Sequence, residues 1–240
     1  MDLFQRISGI IFSLVMIALI GISACTTDPV IPAGGIPVIP PNQDPGDANL
    51  CPPGIISFEH QILPIMISSC AYSGCHDQVT RAEGIVLVDY ETVRREVKPG
   101  DPGDSKLYEY LLESGDDIMP PPPAYPLQPD QIALIREWIL QGAKNTTCGT
   151  ACDPAAVSFS ADIFPLLRDY CVGCHSPSRM DGGVDLSSYT KVLPYAQDGS
   201  LVGTIEADIY YPVMPPTGSR LSACRVEQIK AWIAAGAQDN

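Results

Sequence analysis

Cys171-Val172-Gly173-Cys174-His175 is the stretch on which the reading of this chain turns. A C-x-x-C-H run is the pattern by which a haem is captured covalently. Its two thiols become thioethers to the haem vinyl groups, and the adjacent imidazole becomes the fifth ligand of the iron. Cys171, Cys174 and His175 therefore mark one covalently bound haem c. About a hundred residues earlier stands an imperfect copy, Cys70-Ala71-Tyr72-Ser73-Gly74-Cys75-His76, with two extra residues between its cysteines. It has two readings: a widened haem site at Cys70, Cys75 and His76, or a small Cys70–Cys75 disulfide with no haem.

The surroundings favour the haem site, because residues 51–240 read as two similar halves. Cys51-Pro52-Pro53 and Cys152-Asp153-Pro154 open them, and each cluster begins nineteen residues after its opening Cys. Phe58 matches Phe159, and Ile62-Leu63-Pro64 matches Ile163-Phe164-Pro165. Eight residues after each His come Gly84-Ile85-Val86-Leu87 and Gly183-Val184-Asp185-Leu186, leading to Tyr90 and Tyr189. Met119-Pro120-Pro121 matches Met214-Pro215-Pro216. The halves close on Ile132, Ile135, Trp138, Ile139, Gly142 and on Val226, Ile229, Trp232, Ile233, Gly236. Those intervals describe one face of an α-helix. Pro129 and Asp130 suit a first turn, and the closing Gly suits the residue just past the end. A shorter helix is expected to lead into each cluster, with Pro64 or Pro165 in its first turn. Turn formers dominate the segments between, so these are expected as loops, with little strand. The expected fold is mainly α: two small helical domains with long loops, behind a signal peptide and a Pro-rich linker.

Haem iron needs a sixth ligand, and the chain holds three histidines. None besides His175 lies in the second half, so bis-His ligation within that half is excluded. Met214 is the candidate there and Met119 in the first half, since the prolines after each restrict the backbone that presents the thioether. The alternative role for such a Met is core filling. Met180 follows His175 too closely to reach the opposite haem face. His60 aligns with Ala161 and reads as a surface residue, with a ligand role as its alternative.

Two copies of roughly a hundred residues bury little surface on their own, and a haem in each would supply much of the missing core. The formal net charge is −14, which argues against nucleic acid and suits a partner with a basic docking patch. At the N-terminus, Arg6 precedes an apolar run from Ile10 to Ile20, then Ile22-Ser23-Ala24-Cys25. The run is short for a transmembrane span. Small residues before a Cys resemble a lipobox, which makes 1–24 a lipoprotein signal peptide and Cys25 a lipidation site; a plain signal peptide or uncleaved anchor is the alternative. Residues 25–50 hold the lipidated Cys and a Pro/Gly-rich spacer. The repeat then gives a first domain over 51–148 and a second over 149–240. Export implies a compartment in which disulfides persist. Cys51, Cys148, Cys152 and Cys224 remain after the clusters, and four cysteines allow three pairings. Cys152 with Cys224 is favoured because both lie in the second half, which leaves Cys51 with Cys148; a four-Cys zinc site is the rival.

Residues 51–240 resemble tandem class I-like cytochrome c domains of the planctomycete type, found in lipoproteins of Bacteroidota. The resemblance rests on the C-x-x-C-H, the Gly-x-x-Leu-x-x-Tyr strip, Met-Pro-Pro, and Trp-Ile-x-x-Gly-Ala at Trp138–Ala143 and Trp232–Ala237. It implies first and last helices crossing beside the haem, with Met119 and Met214 as distal ligands. The widened first cluster departs from the pattern. The function expected is that of a lipid-anchored dihaem electron carrier in the cell envelope, facing the periplasm or the cell surface. Redox proteins would be its partners, with no small-molecule substrate and no enzymatic step. The alternatives are a haem-bearing subunit of a larger envelope complex and a dihaem peroxidase, which would need an open ligand position.

Overall fold

The computed structural model describes residues 50–216 and 220–240. The expected signal peptide, Cys25 and the spacer as far as residue 49 lie outside the described residues. Those described belong to one compact unit. The fold is mainly α: among the described residues there is no sheet, only two isolated backbone bridges. No helix among them is long and apolar enough to cross a membrane.

Each half begins with a wide helical turn running straight into a short helix. In the first half Phe58–Ile62 leads into α1, Leu63–Ser69. In the second, Phe159–Ile163 leads into α5, Phe164–Leu167, which a further wide turn, Arg168–Val172, extends to the Cys cluster. Ser57 and Ser158 start these helices alike, each hydroxyl accepting from the N–H three residues on at 3.2 Å. Such a cap satisfies donors that the helix itself leaves orphaned. Pro64 and Pro165 fall in the first turn, where no N–H is needed.

The closing helices lie where the periodicity put them, α4 over Pro129–Leu140 and α8 over Ala223–Ala234. Gly142 and Gly236 follow with φ of 92° and 99°, which only glycine adopts at little cost. Past them, the Ala143 N–H reaches back to the Trp138 carbonyl at 3.0 Å and the Ala237 N–H to Trp232 at 2.9 Å. This is the paired bonding by which a glycine-terminated helix satisfies its last carbonyls.

Between these helices, where turn formers suggested loops, the chain makes four more short helices. They are α2, Tyr90–Arg95, and α3, Lys106–Leu112, in the first half; α6, Tyr189–Gln197, and α7, Ser200–Ile205, occupy the second. Three of them span only six or seven residues, too few for a periodic pattern to register, and α6 hides behind Pro194.

Each half has its own apolar core, and the repeat explains both. Phe58 meets Tyr90 edge-on at 5.2 Å between centroids and Trp138 at 5.3 Å; Phe159 meets Tyr189 and Trp232 at the same distances. Buried tyrosines and tryptophans need partners for their polar tips. Tyr90 donates to the Ala143 carbonyl and Tyr189 to that of Ala237, both at 3.0 Å. Trp138 donates to the Lys144 carbonyl and Trp232 to that of Gln238. The aromatic triad thereby fastens the leading turn, the middle segment and the closing helix of each half.

Cys51 is disulfide-bonded to Cys148, and Cys152 to Cys224. This is the favoured pairing, and it uses the four cysteines that the zinc alternative required. Among the described residues, no group of three or more His, Cys, Asp or Glu side chains could hold a metal ion.

Candidate functional site

The remaining cysteines among the described residues, Cys70, Cys75, Cys171 and Cys174, are free thiols. Neither cluster closes into a disulfide, so the small-bridge alternative at Cys70–Cys75 is not the state seen.

In the second half, Cys171 sits in the wide turn after α5 and Cys174 one turn later. The His175 N–H donates to the Cys171 carbonyl at 2.9 Å, and its own carbonyl accepts from Leu186 at 2.8 Å. The backbone of the cluster is thereby pinned to the Gly-apolar strip. In the first half the two extra residues are absorbed inside the cluster. The His76 N–H still reaches the carbonyl of the first cysteine, Cys70, at 3.1 Å, and the His76 carbonyl still accepts from Leu87 at 2.9 Å. The insertion lengthens the arc between the cysteines while the histidine keeps its backbone partners.

Beside each cluster lies a cavity. The second-half cavity, about 370 Å³, is lined by Cys171, Cys174, His175 and Met214, with Leu186, Leu201 and other mainly apolar side chains. The first-half cavity, about 500 Å³, is lined by Cys70, His76 and Met119, with Leu87, Leu107 and Leu111 and the charged Glu83, Glu96, Lys106 and Asp117. Both fall within the roughly 300–1,000 Å³ usual for cofactor clefts. Cys75 is not among the residues lining the first cavity. Each methionine is presented alike: the Met119 N–H donates to the Tyr110 carbonyl at 3.0 Å, and the Met214 N–H to that of Thr204 at 2.9 Å. The peptide bonds Met119–Pro120 and Met214–Pro215 are both cis. Met180 is 44% exposed and lines neither cavity. His60 lies outside the cavity too; its carbonyl accepts from the Tyr170 hydroxyl of the other half at 3.2 Å.

Electrostatics suit a metal-bearing apolar cofactor. His76 and His175 each keep a buried Nδ1 with no hydrogen-bond partner, so neither ring is committed wholly to protein contacts. Burial lowers the His175 pKa, although the Asp181 backbone and carboxylate oppose this. The imidazole is thereby held neutral, the form that ligates metals. Burial pushes the Cys70 and Cys171 thiols up to about 12, the second cysteine of each cluster adding to the effect. The donor set about each cavity, a histidine, a methionine and at least one thiol, is of the kind that could ligate and anchor a haem. The fit is complete in the second half; in the first, one anchor stands outside the cavity.

Reading the sequence missed how closely the two clusters approach each other. The turn Arg168–Val172 is bonded to the first half at several points. The Ser68 hydroxyl donates to the Asp169 carbonyl at 2.8 Å, the Gln131 amide to the Asp169 carboxylate at 2.8 Å, and Arg168 pairs with Asp130 at 2.7 Å. Burial raises the Asp169 pKa against the pull of Arg168. No local pattern announces such contacts, since their partners lie about 40 to 110 residues apart.

Comparison with family models, curated proteins and solved structures finds no match to this chain.

Proposed function

We propose that this chain is a lipid-anchored dihaem c-type cytochrome that carries electrons in the cell envelope. One observation supports the reading above all. Each half gathers a cluster cysteine, the cluster histidine and the methionine of Met-Pro-Pro around one mainly apolar cavity. Residues 39 to 43 positions apart in sequence, such as His76 with Met119 and His175 with Met214, have no packing reason to meet twice in this way.

Cys171 and Cys174 would hold the second haem, with His175 and Met214 as axial ligands; Cys70, Cys75, His76 and Met119 would hold the first. Haem bound there supplies a one-electron iron couple whose potential Met/His ligation raises. The chain's own residues bind, orient and shield. The prolines after each methionine limit the freedom lost on coordination, and the leucines give each cavity apolar wall. With both axial positions filled from the protein, no site is left for a substrate, which is why an electron carrier is favoured over a peroxidase. The acidic surface suits a redox partner with a basic face, and the lipid at Cys25 would keep the carrier at the membrane.

The test is a haemochrome assay on the purified chain, with spectra of Met119→Ala and Met214→Ala. The expected ratio is two haems per chain, both low-spin, with one site turning high-spin in each variant. A ratio of one that survives Cys70→Ser would remove the first site. No covalent haem at all would overturn the reading.

A further inference from the structure

The two extra residues of the first cluster bring Tyr72 to a place that the second cluster has no equivalent for. The Arg179 guanidinium carbon, from the loop just after His175, lies 3.7 Å from the centroid of the Tyr72 ring. Arg179 is tied to Asp181 through Nε at 2.9 Å and Nη2 at 2.7 Å, while Nη1 is buried with no hydrogen-bond partner. The ring face adds to the Asp181 ion pair in offsetting the partial burial of that cation, a contact that strengthens as water is removed.

A few residues away the two clusters touch through backbone. A Cβ on Gly173 would stand 2.1 Å from the Ser68 carbonyl oxygen and 2.4 Å from its carbon, so only glycine lets α1 come this close. The neighbouring Cys174 Sγ lies 3.6 Å from the same carbonyl oxygen. From Ser68 the chain reaches Cys70 through a single intervening residue, Ser69. Cys174 of one cluster and Cys70 of the other are thus joined by one non-covalent contact at the Ser68 carbonyl, where the Cys174 thiol donates and the Gly173 backbone packs, and a two-residue run of covalent backbone. The Gly173 backbone against the Ser68 carbonyl is the contact that involves no thiol.

We infer that Tyr72 and Gly173 are positioning residues that lock the two haem-attachment clusters together, with Ser68–Ser69 as the bridge coupling them. The widened spacing of the first cluster serves this junction by supplying Tyr72. The inference rests on the dihaem reading above. Electronic coupling decays gently along bonds and steeply across gaps, so the single gap at Ser68 governs the route. One electron redistributes across it, one site becoming oxidised as the other is reduced, with no proton or bond exchanged.

The experiment uses the full chain with haem attached and compares wild type with Gly173→Ala, Tyr72→Ala and Tyr72→Phe. Haem content is measured first. The rate of redistribution between sites is then followed after a pulse of a one-electron reductant. In Gly173→Ala the added Cβ would stand 2.1 Å from the Ser68 carbonyl oxygen, so the clusters must part until it reaches the 3.4 Å of ordinary contact. It is expected to keep two haems and slow redistribution several-fold. Tyr72→Ala is expected to slow it as well, and Tyr72→Phe, which keeps the ring over Arg179, to match wild type. Two haems with unchanged rates in both Gly173→Ala and Tyr72→Ala would overturn the inference while leaving the dihaem reading intact. Should Gly173→Ala fail to fold, the Tyr72 pair decides alone. A wild-type ratio of one would overturn both.

Discussion

The loop after each cluster offers a clean measurement of backbone strain at the rim of each site. Glu83 has φ 53° and ψ 20°, in the left-handed region, and its counterpart Gly182 has φ 65° and ψ 12°. Two positions with nearly the same backbone therefore carry different residues. A side chain in this conformation costs about 1–2 kcal/mol relative to glycine. Against this, replacing a side-chain residue by glycine loosens the unfolded chain by about 0.4–1 kcal/mol. Glu83→Gly should therefore stabilise the protein by about 0.5–1 kcal/mol, and Gly182→Ala should destabilise it by a similar amount. The second change is purely conformational, because a Cβ at Gly182 would meet nothing within 4 Å. Glu83→Ala serves as the control that removes the side chain and keeps the strain. Urea denaturation reads the result as a shift of midpoint at constant slope. For a protein of this size, 1 kcal/mol corresponds to about 2–4 °C in Tm. If Glu83→Gly is no more stable than Glu83→Ala, or Gly182→Ala equals wild type, the left-handed assignment at the site rim is wrong.

Other consequences follow from single contacts. Replacing Cys152 and Cys224 by serine opens a loop with a sequence separation of 72 and should cost about 4 kcal/mol in the chain-entropy account; equal denaturation midpoints would contradict it. Tyr189→Phe leaves the Ala237 carbonyl without its 3.0 Å donor and should cost about 1 kcal/mol, and Tyr90→Phe the same in the first half, whereas a large difference between them would break the equivalence of the triads. Burial alone would raise the buried Asp185 carboxyl, but the Ser187 hydroxyl and N–H and the Lys191 ammonium hold it below the usual carboxylate range. Its stabilising contribution is thus present above the unfolded pKa of about 3.9 and lost as pH falls through the lower folded value. Asp185→Asn should be less stable than wild type at pH 7, with the gap closing in acid, and a gap constant from pH 7 to 3 would refute the assignment.

What could be read from the sequence was what repeats. Phe58, Tyr90 and Trp138 are far apart in the chain, yet their recurrence as Phe159, Tyr189 and Trp232 marked them as one unit before any contact was known. The same holds for the clusters and methionines, and α4 and α8 are long enough for their apolar face to show. Short helices such as α2 and α3 escaped because one or two turns cannot display a period; their caps and packing decide them. Asp89 shows this, its side chain and Thr92 forming a reciprocal cap on α2. The contact between the halves left no trace for a different reason. It is made once, by residues such as Tyr72, Asp169 and Arg179 that differ between the copies, and a repeat reveals only what the copies share.

That difference bears on why the first cluster departs from the spacing of the second. An insertion that merely damaged a haem site would disturb the histidine it precedes. Here the His76 N–H still finds the Cys70 carbonyl and the His76 carbonyl still finds Leu87, so the extra residues are accommodated with the backbone partners of the histidine unchanged. They also bring the Tyr72 ring to the loop after His175. Halves of this size bury relatively little surface alone, and a junction built from Tyr72, the Ser68 carbonyl and the bare backbone of Gly173 adds contact between them beside the second cluster. Asymmetry between the clusters is then what two similar halves require to face one another, since two identical surfaces would have had to meet about a two-fold axis that one continuous chain does not impose.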